Sequence, residues 1–384
     1  IEMTTRMMGL FAEDKTLMQY NFKNGEKKSF YETKGYLADS TFFRMFTYKF
    51  IEGNAATALN NPNSVVLSEE IAKKIFGSQP ALNKVIHISS SSNGDYDFMV
   101  TGVFKPVVRP SHIDARFFLS MRGGDIEQYI ARDGTSFATN NMFFTYLLLK
   151  PGSNTSNLAA KFPAFIDKYA GKDLKAMGFG KKQFLIALKD IHLRSGMDND
   201  VSPSGSMTYL YILGSIALFI LLIACINFMN LSTARSSKRS AEVGIRKVLG
   251  AEQGELVRQF LGESVFMSLI AFVFAFGATA LLLPSFSSIS GKNLFLSFPG
   301  DSLIIVSFFL LSVFTGLLAG SYPAFYLSAF KPIKVIKGKF SNSLAAVSLR
   351  KGLVVFQFVI SVVLIIASVV ISKQMKYLRS ADLG

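Results

Sequence analysis

Four stretches in the second half of the chain, residues 209–231, 264–283, 303–327 and 353–372, contain no Lys, Arg, Asp or Glu. A helix needs about 20 apolar residues to cross the roughly 30 Å hydrocarbon core of a bilayer, and each stretch is that long. Backbone groups in lipid must find their partners within the segment, so each stretch is expected to be a helix. One such run is compatible with a buried helix of a soluble domain, but four in succession make a membrane domain. Residues 1–206 hold most of the charge, so the chain divides between two solvents.

The net charge of +15 raises nucleic acid as a partner, and the placement of the basic residues argues against it. Residues 1–206 carry 25 Lys/Arg against 20 Asp/Glu, whereas residues 207–384 carry 16 against 6. The excess therefore sits beside the apolar runs, where it marks topology rather than a nucleic-acid footprint. Arg235, Lys238, Arg239, Arg246, Lys247 and Arg258 fill the loop between the first two runs. Lys331, Lys334, Lys337, Lys339, Arg350 and Lys351 fill the loop between the third and fourth, and only Lys292 lies between the second and third. Short Lys/Arg-rich loops stay in the cytoplasm, so the first run enters from outside and residues 1–206 lie on the outer face. A domain so placed needs an upstream signal or span, and a transmembrane helix before Ile1 is expected. The fold class is thus an α+β extracytoplasmic domain joined to an α-helical transmembrane domain.

Within the outer domain, alternating runs at residues 96–104 and 146–149 predict strands, punctuated by Gly, Pro and Asn. Residues 63–77 predict a strand followed by a helix. Val65, Val66 and Leu67 extend the chain, Ser68 caps, Glu69 and Glu70 suit the helix N-terminus, and Gly77 suits its end. No catalytic motif emerges: His87, His112 and His192 are scattered, and HExxH, GxSxG and a Walker A loop do not occur. The single cysteine, Cys225, lies in an apolar run and excludes an intrachain disulfide and a cysteine-based metal site. The reading is a binding or gating domain rather than an enzyme.

The first basic loop, between the first two runs, is confined to water by its charge. Burying a Lys or Arg at the bilayer centre costs about 2.5 to 3.5 kcal/mol, so its six cations keep it out of the core. Ala241, Ile245, Val248 and Leu249 fall on one helical face, and Glu242 can pair with Arg246 at i, i+4. Gly250 offers a turn before the chain re-enters the membrane. Periodicity leaves two readings open. The helix lies on the membrane surface against anionic lipid, or it docks a cytoplasmic partner through its apolar face. In the third run, Gly316 and Gly320 form a GxxxG pair with Pro323 one turn later. Small residues allow close helix approach, within this subunit or at a moving subunit interface. Asn227 and Asn230 are candidates for hydrogen bonds across helices.

Glu242, Val243, Gly244, Ile245, Arg246, Lys247, Gly250 and Ala251 resemble the E-[IV]-G-[IV]-R-x-x-x-G-A segment of MacB/FtsX-type ABC-transporter permeases, followed by Leu256, Val257, Phe260, Leu261 and Glu263 at the membrane re-entry. Residues 38–43, 61–68 and 100–104 resemble the periplasmic core domain of the same family. One departure is at residues 80–84, where relatives more often have Gly before the Lys and this chain has Asn83.

The resemblance implies three regions: a periplasmic core domain at 1–206, an FtsX-like transmembrane domain at 207–341 with a coupling helix, and at 342–384 the junction and first span of a second half. It implies a parent of eight spans, of which the second to fifth are seen. The coupling helix is expected to seat on a separate cytoplasmic ABC ATPase, which would hold the ATP and Mg; this chain is expected to bind no cofactor or metal. Other implied partners are membrane lipid, a second permease half in a dimer or pseudo-dimer, and a periplasmic protein. The implied location is the bacterial inner membrane. The implied function is export or extraction of a substrate from the envelope. The alternatives are a signalling permease that controls a cell-envelope enzyme without transport, and a membrane-anchored binding protein with no ATPase.

Overall fold

The computed structural model describes residues 1–384 apart from 12–13, 23–24, 107–110, 134–135, 195, 198–199, 203–204, 235, 292–293, 295, 297–299, 330–343 and 381–384. The chain forms two compact units, Ile1–Met207 and Thr208–Gly384.

The first unit is built on a mixed sheet. Its strands are β1 (Met3–Gly9), β2 (Thr16–Asn21), β3 (Lys27–Glu32), β4 (Gly35–Ala38), β5 (Phe50–Gly53), β6 (Ser64–Ser68), β7 (Val85–Ser90), β8 (Gly94–Phe104), β9 (Phe117–Ser120) and β10 (Phe144–Leu148). They run in the order β10-β1-β4-β9-β6-β8-β7-β2-β3, with β5 on β8. The β4/β9 and β6/β8 pairs are parallel. Every residue of β6 and β9 is buried, because both faces of the sheet are covered. Alternation along the pleat sends Val65, Leu67, Phe117 and Leu119 into one core and Val66 and Phe118 into the other.

Helices α1 (Phe42–Met45), α2 (Glu69–Phe76) and α3 (Gly124–Asp133) cover these cores; beyond them come α4 (Thr155–Ala159), α5 (Phe162–Met177), which buries Ile166, Ala170 and Leu174 in a separate cluster with Ala138, and α6 (Ile191–Arg194). The strand-to-helix step at residues 63–77 forms as its composition predicts. The Ser68 side chain accepts from the Ile71 N–H, and Ile71 and Ile75 dock α2 on the sheet. Asn83 has φ 63°. Asn tolerates the left-handed region better than other non-glycine residues, so the turn is kept; the Asn83 N–H donates to the Val100 carbonyl at 2.8 Å.

The second unit contains α7 (Met207–Ala234), α8 (Ser236–Val248), α9 (Gln253–Ser290), α10 (Ser302–Ser328) and α11 (Leu344–Ser380). Each of α7, α9, α10 and α11 holds a segment long and apolar enough to cross a membrane. Their outer faces carry rows of exposed large apolar side chains, among them Phe274, Leu281, Phe308 and Phe358.

The reading of residues 284–302 as loop is corrected. Pro284 lies inside α9, which runs on to Ser290 and ends at Gly291 with φ 65°. A proline removes one N–H, a loss that membrane helices tolerate. The glycine, in the left-handed region, supplies the actual stop. Lys292, Lys331, Lys334, Lys337 and Lys339 lie outside the described residues.

Candidate functional site

Helix α8 folds back on the start of α9 through a tight turn at Gly250, whose φ of 100° is one that side-chain-bearing residues rarely adopt. The Ala251 N–H donates to the Arg246 carbonyl at 3.0 Å, closing the helix end. Arg246 and Lys247 occupy the last turn, where positive charge meets the negative end of the helix dipole. Helix α9 then opens with a capping box between Glu252 and Glu255.

Packing and polar bonds hold the α8–α9 turn onto the end of α10. Val243 is 2 % exposed and packs with Leu256 and Phe260 of α9 and Ala324 and Leu327 of α10. Arg239 pairs with Glu263 at 2.7 Å, and Arg246 donates to Gln259 at 2.6 Å and to Glu242 at 2.7 Å. Lys247 Nζ donates to the Ser328 carbonyl at 2.5 Å, a carbonyl in the last turn of α10 that no further helical residue can bond. Buried neighbours and charge-assisted bonds thus make α8 part of the same body as the start of α9 and the end of α10.

The apolar stripe read from periodicity is not the face that α8 buries. Ile245, Val248 and Leu249 are 63, 65 and 81 % exposed, while Val243 and Gly244 turn inward; the Ala241 side chain is outside the described residues. The two neighbours α9 and α10 choose Val243 because it faces the gap between Phe260 and Leu327. The longer stripe is left open. Sequence reasoning missed Ser328, Gln259 and the Arg239–Glu263 pair. They lie on other helices, and only the antiparallel placement of α8 on α9 brings them into reach.

Gly316 and Gly320 face α9 of the same chain. A Cβ on Gly316 would lie 2.7 Å from Val265 Cα, and one on Gly320 would lie 2.5 Å from Ser264 Cβ. Below these contacts, Ser268 Oγ donates to the Ser312 carbonyl at 2.7 Å, and Ser312 Oγ to the Ser268 carbonyl at 2.9 Å. Pro323 and Ala324 are buried on the same side of α10. Among the described residues, no hydrogen bond joins Asn227 or Asn230 to another helix. In the first unit, His87 lies between Asp95 and Asp97 at 2.8 Å each, and His112 Nε2 is 3.0 Å from the Tyr146 hydroxyl. Burial holds the His112 imidazolium below its ordinary pKa, opposed by the charge of Asp200.

Residues 9–165 match the MacB-like periplasmic core domain, and residues 214–332 match the FtsX-like permease C-terminal domain. The ABC transporter permease YknZ of Bacillus subtilis is 27 % identical over 211 residues, covering 53 % of this chain and 50 % of that protein. The macrolide export ATP-binding/permease protein MacB of Haemophilus ducreyi is 25 % identical over 305 residues, covering 77 % of this chain and 39 % of that one. The chain therefore spans half or less of the length of these relatives. The crystal structure of the periplasmic region of MacB from Actinobacillus actinomycetemcomitans is 14 % identical, with 47 % of this chain and 78 % of that chain covered and a TM-score of 0.28.

Proposed function

The chain belongs to the MacB/FtsX-type ABC-transporter permeases, and from that premise we propose that it is the membrane subunit through which a separate cytoplasmic ATPase moves the outer domain. The carrying observation is the arrangement of α8, clamped to α9 and α10 on one side and presenting Ile245, Val248 and Leu249 on the other. An exposed apolar row flanked by Arg246 and Glu242 has the make-up of a docking anchor, with apolar side chains to bury and charges to set register.

A force applied to α8 reaches two spans at once, because α9 follows it through a short turn and α10 is tied to it by Val243 and Lys247. Each span is rigid along its axis, with its backbone bonds internal. The ATPase would bind ATP and Mg, and nucleotide-driven closure would shift the inner ends of α9 and α10 together. The names of two relatives speak of macrolide export and of pyoverdine export. Export from the bacterial inner membrane or envelope is the activity proposed for this chain, with residues 1–206 on the periplasmic side.

The reading is tested by purifying the full-length permease from membranes and measuring the co-purifying ATP-binding subunit. Ile245→Asp and Leu249→Asp are expected to release it, as are Glu242→Lys and Arg246→Glu. Undiminished binding with unchanged coupled activity would sink the proposal. Retained binding without any transported compound would favour control of an envelope enzyme.

A further inference from the structure

Beside the clamped face of α8, a groove of about 820 Å³ runs between α9 and α10. Leu261, Val265, Val313 and Leu317 line its apolar length, and Arg258 stands on α9 between these and the lining residues Gln253 and Gly254 at the helix start. Gly262 also lines it and faces open space, since a Cβ there would meet nothing within 4 Å. Arg258 has no hydrogen-bond or ion-pair partner among the described residues, unlike Arg239 and Arg246 of α8.

We infer that this groove holds one anionic phospholipid of the inner leaflet, its phosphate on the Arg258 guanidinium and an acyl chain along Leu261, Val265, Val313 and Leu317. The inference rests on the proposed topology, which puts the start of α9 in the cytoplasm. Three physical features support it. Arg258 precedes the charge-free stretch that begins at Ser264 by six residues, which is about 9 Å of helix and places the guanidinium at headgroup depth. From Arg258 to Val265 the α9 lining covers seven residues, about 10 Å of helix, which reaches the start of the charge-free stretch, and Val313 and Leu317, inside the third stretch, carry the lining into the hydrocarbon. A planar guanidinium also matches a phosphate through paired N–H donors. None of the four charge-free stretches of this chain could bring an acid to Arg258. A zwitterionic lipid would fill the apolar length without using the cation fully.

The test uses the full-length permease with its ATPase in vesicles of phosphatidylcholine. Trace photoreactive phosphatidylglycerol or photoreactive phosphatidylcholine is loaded into one leaflet at a time. Labelling of the segment around Leu261 and Val265 is expected to favour phosphatidylglycerol about fivefold, the equivalent of about 1 kcal/mol for one cation at an anionic surface. Arg258→Gln should abolish the preference and Arg258→Lys should keep most of it. Gly262→Leu should reduce labelling by both lipids by filling the groove. Equal labelling by the two headgroups, or a preference that survives Arg258→Gln, would overturn the site and leave the topology standing. An Arg258-dependent preference seen only from the leaflet on the outer domain's side would keep the site and overturn the topology. Capture of a protein segment by a photoreactive side chain at Leu317, in place of lipid, would also overturn the site.

Discussion

The Lys247 ammonium donates to the carbonyl of Ser328 at 2.5 Å, so the last turn of the short basic helix is bonded to the last turn of the third membrane helix, 81 residues away. The bond satisfies a helix-end carbonyl with a cation, the charge that a helix C-terminus favours. It also makes the orientation of α8 depend on the position of α10.

Lys247→Met is expected to loosen α8 without unfolding the chain, because Val243 keeps its cluster. A partly exposed charged hydrogen bond contributes about 1 kcal/mol. Amide hydrogen exchange in α8 should therefore quicken about fivefold, with Lys247→Arg close to the parent. Unchanged exchange in Lys247→Met would show that the bond carries no constraint.

Gly320→Ala and Gly316→Ala should each destabilise the membrane domain by about 1 to 3 kcal/mol through overpacking, read as a lower unfolding temperature in detergent. Their rescue should differ. Ser264→Gly removes the side chain that a Cβ on Gly320 would strike, whereas a Cβ on Gly316 strikes the Val265 backbone. The double variant with Gly320→Ala is thus expected to recover much of the loss, and the one with Gly316→Ala little. Additive effects in both would contradict the packing described.

The outer domain should lose stability as the medium becomes acidic through the ordinary imidazole range. His112 is held below its usual pKa chiefly by burial, so in that window the unfolded chain binds more protons than the folded one. Stability then falls with pH and levels off below the folded value. Hydrogen exchange of β1 and β10 at pH 7.5 and 5.5 measures this, with His112→Phe flattening the dependence. Equal slopes in parent and variant would remove His112 as the cause.

The side of the membrane is open to a direct check. Cysteines at Ser91 and Ser341 should react with an impermeant reagent from the periplasmic and the cytoplasmic side respectively. The reverse pattern would overturn the topology and the docking proposal with it.

Much of this architecture was legible in the sequence because lipid is an unforgiving solvent. Four charge-free runs leave few alternatives to helices, and the Ser68 cap and the Glu242–Arg246 pair act over four residues or fewer. What was not legible depends on distant partners. The parallel pairing of β4 with β9 and β6 with β8 joins strands separated by long connections. The burial of Val243 in place of Ile245 follows from where α9 and α10 stand, which the pattern of a thirteen-residue helix does not contain. Apolar composition alone bounds the second run at residue 283, and α9 continues through Pro284 to Ser290 because the more polar residues that follow still keep a helical backbone up to Gly291.

The central claim is that the exposed row of α8 seats an ATPase. A photoreactive amino acid placed at Leu249 of the full-length permease in native membranes, with Val243 as the inward-facing control, tests it most directly. The account predicts cross-linking of an ATP-binding subunit from Leu249 and of α9 or α10 from Val243. Cross-linking of Leu249 to lipid alone would contradict it.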